Sequence, residues 1–76
     1  MIREIRFTVK KYSENSCNVY TATRDDYSKH WTEQGIIPRH GTATEVMNGI
    51  IKNQTRWNWT LYDITEENTL TFWKEL

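Results

Sequence analysis

One cysteine, one proline and three glycines in 76 residues leave this chain little of the usual structural punctuation. The lone Cys17 excludes an intramolecular disulfide, so packing alone must hold the fold, and a reducing compartment is the natural setting. Excess charge is missing as well, since ten Lys and Arg stand against ten Asp and Glu. Such a chain is a poor DNA mimic, which needs strong acidity, and a poor candidate for binding driven mainly by phosphate attraction. Residues 1–40 carry seven basic against five acidic side chains and residues 41–76 three against five, an asymmetry too small to name a partner. Long hydrophobic runs are also absent. The first seven residues alternate charged with apolar side chains where a signal peptide needs a continuous apolar stretch, and no window approaches a membrane span. The chain therefore reads as a soluble cytoplasmic protein. One domain, residues 1–76, is expected, burying only about 60% of the surface that its unfolded chain exposes. That leaves space for one core and none for a deep enclosed pocket.

Aromatic side chains are what the sequence has in excess: four Trp, four Tyr and two Phe. A fold of one helix on one sheet hides about half of them under the helix, so the rest must stand on the other sheet face or at an edge.

The organising element is residues 42–53. Ala43, Val46, Met47, Ile50 and Ile51 recur at helical spacing and share one face. Thr42 and Glu45 have the spacing of a capping box, Lys52 favours the negative helix end, and Asn53 can adopt the left-handed conformation that stops a helix. Gly49 weakens the interior by about 1 kcal/mol relative to Ala and is read as a point of close approach to a strand. Three turns are marginal alone in water, so this helix needs a sheet to lie on.

The flanks supply the sheet. Ile5, Phe7 and Val9 alternate with Arg6, Thr8 and Lys10 on a first strand, and residues 17–23, rich in β-branched and aromatic side chains, return as its hairpin partner. On that second strand Val19 is assigned inward and Tyr20 outward. Residues 26–34 are open to two readings: a short helix capped by Asp25 or Asp26 and ended by Gly35, or a strand with Tyr27, Lys29 and Trp31 on one face. The helix is preferred because Tyr27 and Trp31 stack at i,i+4. Residues 35–41 read as a connector, with Ile36 and Ile37 plugging one end of the core. After the main helix, Trp57, Trp59 and Leu61 alternate on a third strand, residues 65–68 turn with Asn68 at positive φ, and Leu70 and Phe72 alternate on a fourth. The expected fold is α+β: a four-stranded antiparallel sheet in ββαββ order, one amphipathic helix on one face, and a short second helix in the loop before it.

No catalytic or ligand signature emerges. Cys17 with His30 or His40 lacks the surrounding signature of a nucleophile and base, and a small buried thiol is the simpler account. Asp26 and His30, even with His40, form a weak ligand set for a metal. No cofactor is expected, nor an enzyme. The two sequons at Asn53 and Asn58 are chance matches in a chain read as cytoplasmic.

Two binding functions remain. On the outward sheet face Trp73, Tyr62 and Tyr20 make a protein-binding surface, because Trp, Tyr and Arg dominate interface hot spots. The competing account is that residues 26–34 fold over that face and turn it into core. If the C-terminal strand lies outermost, its open edge beside Trp73 offers a site for a larger protein or for a homodimer. The alternative is a single-stranded nucleic-acid or RNA platform built from Arg6, Lys10, Arg24, Lys29 and Arg39 with neighbouring aromatic rings. In size, Trp content and want of catalytic motifs the chain resembles the small inhibitors that phages and mobile elements encode against host defence proteins. That resemblance implies a non-enzymatic module that blocks a larger protein; the lack of an apolar span separately leads us to expect no membrane partner.

Overall fold

The computed structural model describes every residue except Thr65. Five strands and one helix follow in the order β1 (Ile2–Ser13), β2 (Ser16–Asp25), β3 (Thr32–His40), α1 (Ala43–Arg56), β4 (Thr60–Asp63) and β5 (Thr69–Glu75). They form one antiparallel sheet ordered β3-β2-β1-β5-β4 with the helix on one face. The α+β class stands as expected; the strand count and order do not.

The extra strand is β3, where a short helix was preferred. Asp26 and Tyr27 take φ of 48° and 58°, and the Ser28 N–H donates to the Asp25 carbonyl at 3.0 Å. Positive φ at both central residues is the turn that suits the twist of a hairpin, so the chain reverses where a helix would have begun. Asp26 ties the reversal down: its N–H donates to Ile2 O at 2.7 Å and its Oδ1 accepts from Ile2 N at 2.9 Å. What overrides local helix signals is the unpaired edge of β2, whose backbone groups the returning segment satisfies. Ile36 and Ile37 consequently lie on an edge strand, 57% and 41% exposed, and do not plug the core.

Helix α1 begins as its sequence dictates. The Thr42 hydroxyl accepts from Glu45 N at 3.2 Å while Glu45 Oε1 accepts from Thr42 N at 3.1 Å. Its end differs from expectation. The helix runs through Asn53 to Arg56 and stops at Asn58, whose φ of 68° lets Asn58 N–H reach Thr55 O and Trp59 N–H reach Gln54 O, both at 3.0 Å. This paired C-terminal closure needs a residue that tolerates the left-handed region, which Asn does. Trp57 is thereby the helix cap, 61% exposed, and no strand residue. Gly49 faces open space: among the described residues nothing lies within 4 Å of where a β-carbon would stand, so the close approach expected there does not exist.

The core lies between the helix and the centre of the sheet. Phe7, Val9, Cys17, Val19, Val46, Leu70 and Phe72 are buried, with Ile5, Ala43, Met47, Ile50, Ile51, Trp59 and Leu61 packed around them. Phe7 and Phe72, on neighbouring strands, meet edge to face at 5.8 Å. The inward assignment of Val19 and outward assignment of Tyr20 hold, since Val19 pairs with Val9 and Tyr20 with Thr8. The helix packs on β1, β2 and β4, while all nine residues of β3 remain exposed. Among the described residues no helix is long and apolar enough to cross a membrane.

Candidate interaction surface

The sheet presents two surfaces besides the core: the face away from the helix, and the region where β3 extends beyond the helix. On the far face Glu4 is completely buried. Arg24 grips it with Nε–Oε1 at 2.7 Å and Nη2–Oε2 at 3.2 Å, and the Tyr62 hydroxyl donates to Oε2. A carboxylate out of water is tolerable only with such partners, and this pair supplies a bidentate fork plus a third donor. Trp31, arriving just before β3, lies against Arg6 and Arg24, whose Cζ atoms are 4.4 and 4.5 Å from its ring centre. The segment read as a short helix thus covers part of this face through one aromatic ring and two cation–π contacts.

Trp73, Tyr62 and Tyr20 all belong to this face, and of the three Tyr62 is the most exposed. Trp73 stands between Glu4 on β1 and Thr60 on β4 and is half-buried. Tyr62 is 48% exposed with its hydroxyl on Glu4. Tyr20 is half-buried on β2, with the Lys10 ammonium 4.7 Å from its ring centre. Strand β5, moreover, is internal: β1 pairs with one side and β4 with the other. The C-terminal strand therefore is not outermost, and a homodimer through its edge lacks the open edge it requires.

Of the basic residues, Arg6, Lys10 and Arg24 share the far face and Lys29 and Arg39 do not. Arg24 is committed to Glu4, Arg6 lies beneath Trp31, Lys10 sits over Tyr20, Lys29 is in the loop before β3, and Arg39 lies on the helix side, lining the groove described below. Asp26 lies in the turn before β3 and His40 at its far end, and among the described residues no three His, Cys, Asp or Glu side chains converge as a metal site would need. Cys17 is 1% exposed, its thiol directed at Gly41 O at 3.6 Å.

The helix side of β2 and β3 is different in kind. Between α1 and β3 runs a groove of about 610 Å³ with Phe7, Val19, Ile37, Val46 and Ile50 as its apolar lining and Arg39 and Asn53 among its polar ones. At 41% exposure Ile37 leaves this apolar lining open to solvent. Nearby on β2, Thr21 is 8% exposed and its Oγ1 has no hydrogen-bond partner among the described residues. Opposite Thr21 is Gly35, at φ +127° within a bulge and with open space above it. Among the described residues the outer edge of β3 has no pairing strand.

Hydrogen-bond parity fixes what that edge offers. Gly41 N–H donates to Asn15 O at 2.7 Å, and the register from Ser16↔His40 to Thr21↔Gly35 continues that pairing. Antiparallel pairs alternate, so Arg39, Ile37 and Gly35 bond to β2 while His40, Pro38 and Ile36 turn their backbone groups outward. Pro38 occupies a position where no donor is needed, as a proline in a strand must. Residues 35–41 read as a connector in one dimension, which hid this surface. The signal available was a β-branched pair followed by the proline, which also fits an edge strand.

Compared with protein-family models, curated proteins and solved structures, the chain finds no match.

Proposed function

We propose that the protein is a non-enzymatic interaction module that binds a larger protein through β3 and the groove beside it. The observation that carries this reading is an edge strand, unpaired among the described residues and exposed along its whole length, that presents Ile37 to an apolar groove and Ile36 on the opposite face. Exposed apolar side chains beside open backbone groups are the features by which one protein adds a strand to another. Blocking of a host protein, as small mobile-element inhibitors do, is the form of activity this suits. On this reading the partner surface is centred on Ile37 and the β3 edge and not on Trp73, Tyr62 and Tyr20.

Nucleic-acid binding draws less support, because Arg24 is held by Glu4, Arg39 lies on the opposite, helix side of the sheet from Arg6, Lys10 and Arg24, and a chain of zero net charge attracts phosphate weakly. A photo-crosslinking amino acid in place of Ile37, and separately in place of Glu67 on the exposed turn before β5, tests the proposal in cell extract of the source organism. A discrete protein adduct from position 37 and none from position 67 is expected. Adducts from neither position, together with a gel shift of single-stranded oligonucleotides at low salt, would reverse the ranking.

A further inference from the structure

Resting on that reading, we propose what β3 takes: an extended, acidic segment of the partner, added to the sheet as a sixth strand beyond β3. The backbone argument comes first. Ile36 and His40 turn both N–H and C=O outward, four residues apart, which is about 13 Å along a strand. Between them Pro38 has no donor, and its carbonyl accepts from Arg39 Nη1 at 3.3 Å. An incoming strand is therefore anchored at two points with an interruption between, which selects a defined register and disfavours indiscriminate pairing.

Side-chain chemistry then specifies the segment. An added strand directs alternate side chains over the helix side of the sheet, where Ile37, Val19 and Ile50 offer apolar contact. Arg39 lines the same groove, and its one described contact is the neutral Pro38 carbonyl. Glu45 lines the groove from the facing helix and is anionic, but its carboxylate accepts from Thr42 N in the capping box and forms no described ion pair with Arg39. A carboxylate of the incoming strand is what Arg39 lacks.

A second copy of this chain fits worse. Symmetric pairing of two β3 strands brings the Pro38 interruption in twice. It also offers Arg39 no carboxylate from its own β3, because the bulge at Gly35 sets Glu33 opposite Ala22 and so on the other face of the sheet, and the Glu45 carboxylate on the helix side is already engaged in its capping box. The charge that a foreign acidic strand brings is missing from the self-complex.

The test is selection of a random dodecapeptide library on the immobilised intact protein, followed by titration of the enriched peptides into ¹⁵N-labelled protein. Enriched sequences should alternate apolar with Asp or Glu, and the Ile36 and His40 amides should shift and gain protection from hydrogen exchange. Arg39→Glu, an exposed change, should weaken binding about tenfold or more and reduce its salt dependence. Ile36→Pro, which removes an outward donor, should weaken it comparably. Failure to enrich any peptide, enrichment without acidic residues, or binding indifferent to both variants would overturn the proposal. So would sedimentation as a dimer at millimolar concentration with Ile36 protected. If crosslinks at position 37 capture a protein while peptide shifts map to Tyr62 and Trp73, this inference fails and the interaction reading survives. Loss of both leaves neither.

Discussion

Glu4 shows how one residue on a strand face acquires a role that no local pattern announces. It lies in the period-two alternation of β1 as an outward, nominally solvated position, yet it is fully buried because Arg24, Tyr62 and Trp73 converge on it from three other strands. Glu4→Ala leaves a partly exposed guanidinium without its counter-charge and is expected to destabilise the protein by about 2–3 kcal/mol. Tyr62→Phe, which removes one donor to the same carboxylate, should cost about 1 kcal/mol. Urea titrations measure both, and equal losses would contradict the ion pair as the dominant interaction. Tyr27 is the opposite case. It is 67% exposed and sits at φ 58°, a conformation that disfavours an aromatic side chain and suits glycine. Tyr27→Gly should therefore raise stability by about 0.5–1 kcal/mol, despite removing a large side chain. A loss of stability would mean that the ring makes a contact more valuable than the strain it imposes.

At the scale of elements, the helix depends on its ends. Thr42→Ala removes the capping hydroxyl and should destabilise by about 1 kcal/mol, read as a lower melting temperature and reduced helix signal on partial denaturation. Hydrogen bonds from Thr42, the backbone one foremost, hold the Glu45 carboxyl below its ordinary value of 4.5. Across the sheet a hydrogen bond and then the charge of Arg3 hold Asp25 below its ordinary 3.8. Both groups are more acidic folded than unfolded, so their stabilisation is complete above the unfolded values and disappears as pH falls through the lower folded ones. Unfolding measured between pH 6 and pH 2 should therefore show stability declining below about pH 4.5, with a shallower decline in Thr42→Ala. Stability that rose on acidification would contradict both assignments.

For the whole molecule, the strand order governs where a partner can bind. Because β5 is central, Trp73 is built into the sheet between Glu4 and Thr60, and Trp73→Ala should lose about 1–3 kcal/mol of stability in thermal or urea unfolding. An unchanged melting temperature would return Trp73 to the role of an exposed anchor. The sheet has two edges. One is β4, four residues with an irregularity after Leu61; the other is β3, nine residues long beside an open groove. Length and the neighbouring apolar lining make β3 the edge with more to offer another chain, and its single proline limits which chains can use it.

Residues 43–52 and the alternations at Ile5–Phe7–Val9 and Leu70–Phe72 were legible in the sequence because each depends on chemistry within a few positions. Helical spacing, a capping box and period-two burial need no knowledge of distant neighbours. The inward Val19, the outward Tyr20 and the positive φ of Asn68 belong to the same class. Strand order, the helix end at Asn58, the strand at residues 32–40 and the burial of Glu4 were decided by tertiary structure. In each, a local signal competed with a long-range demand: Asp25, Asp26 and the Tyr27–Trp31 spacing favoured a helix, but the unpaired backbone of β2 required a partner, and a strand satisfied it. The candidate site inherits that division. Ile36, Ile37 and Arg39 are ordinary residues in one dimension, and they become a surface because the helix covers β1, β2 and β4 and stops short of β3.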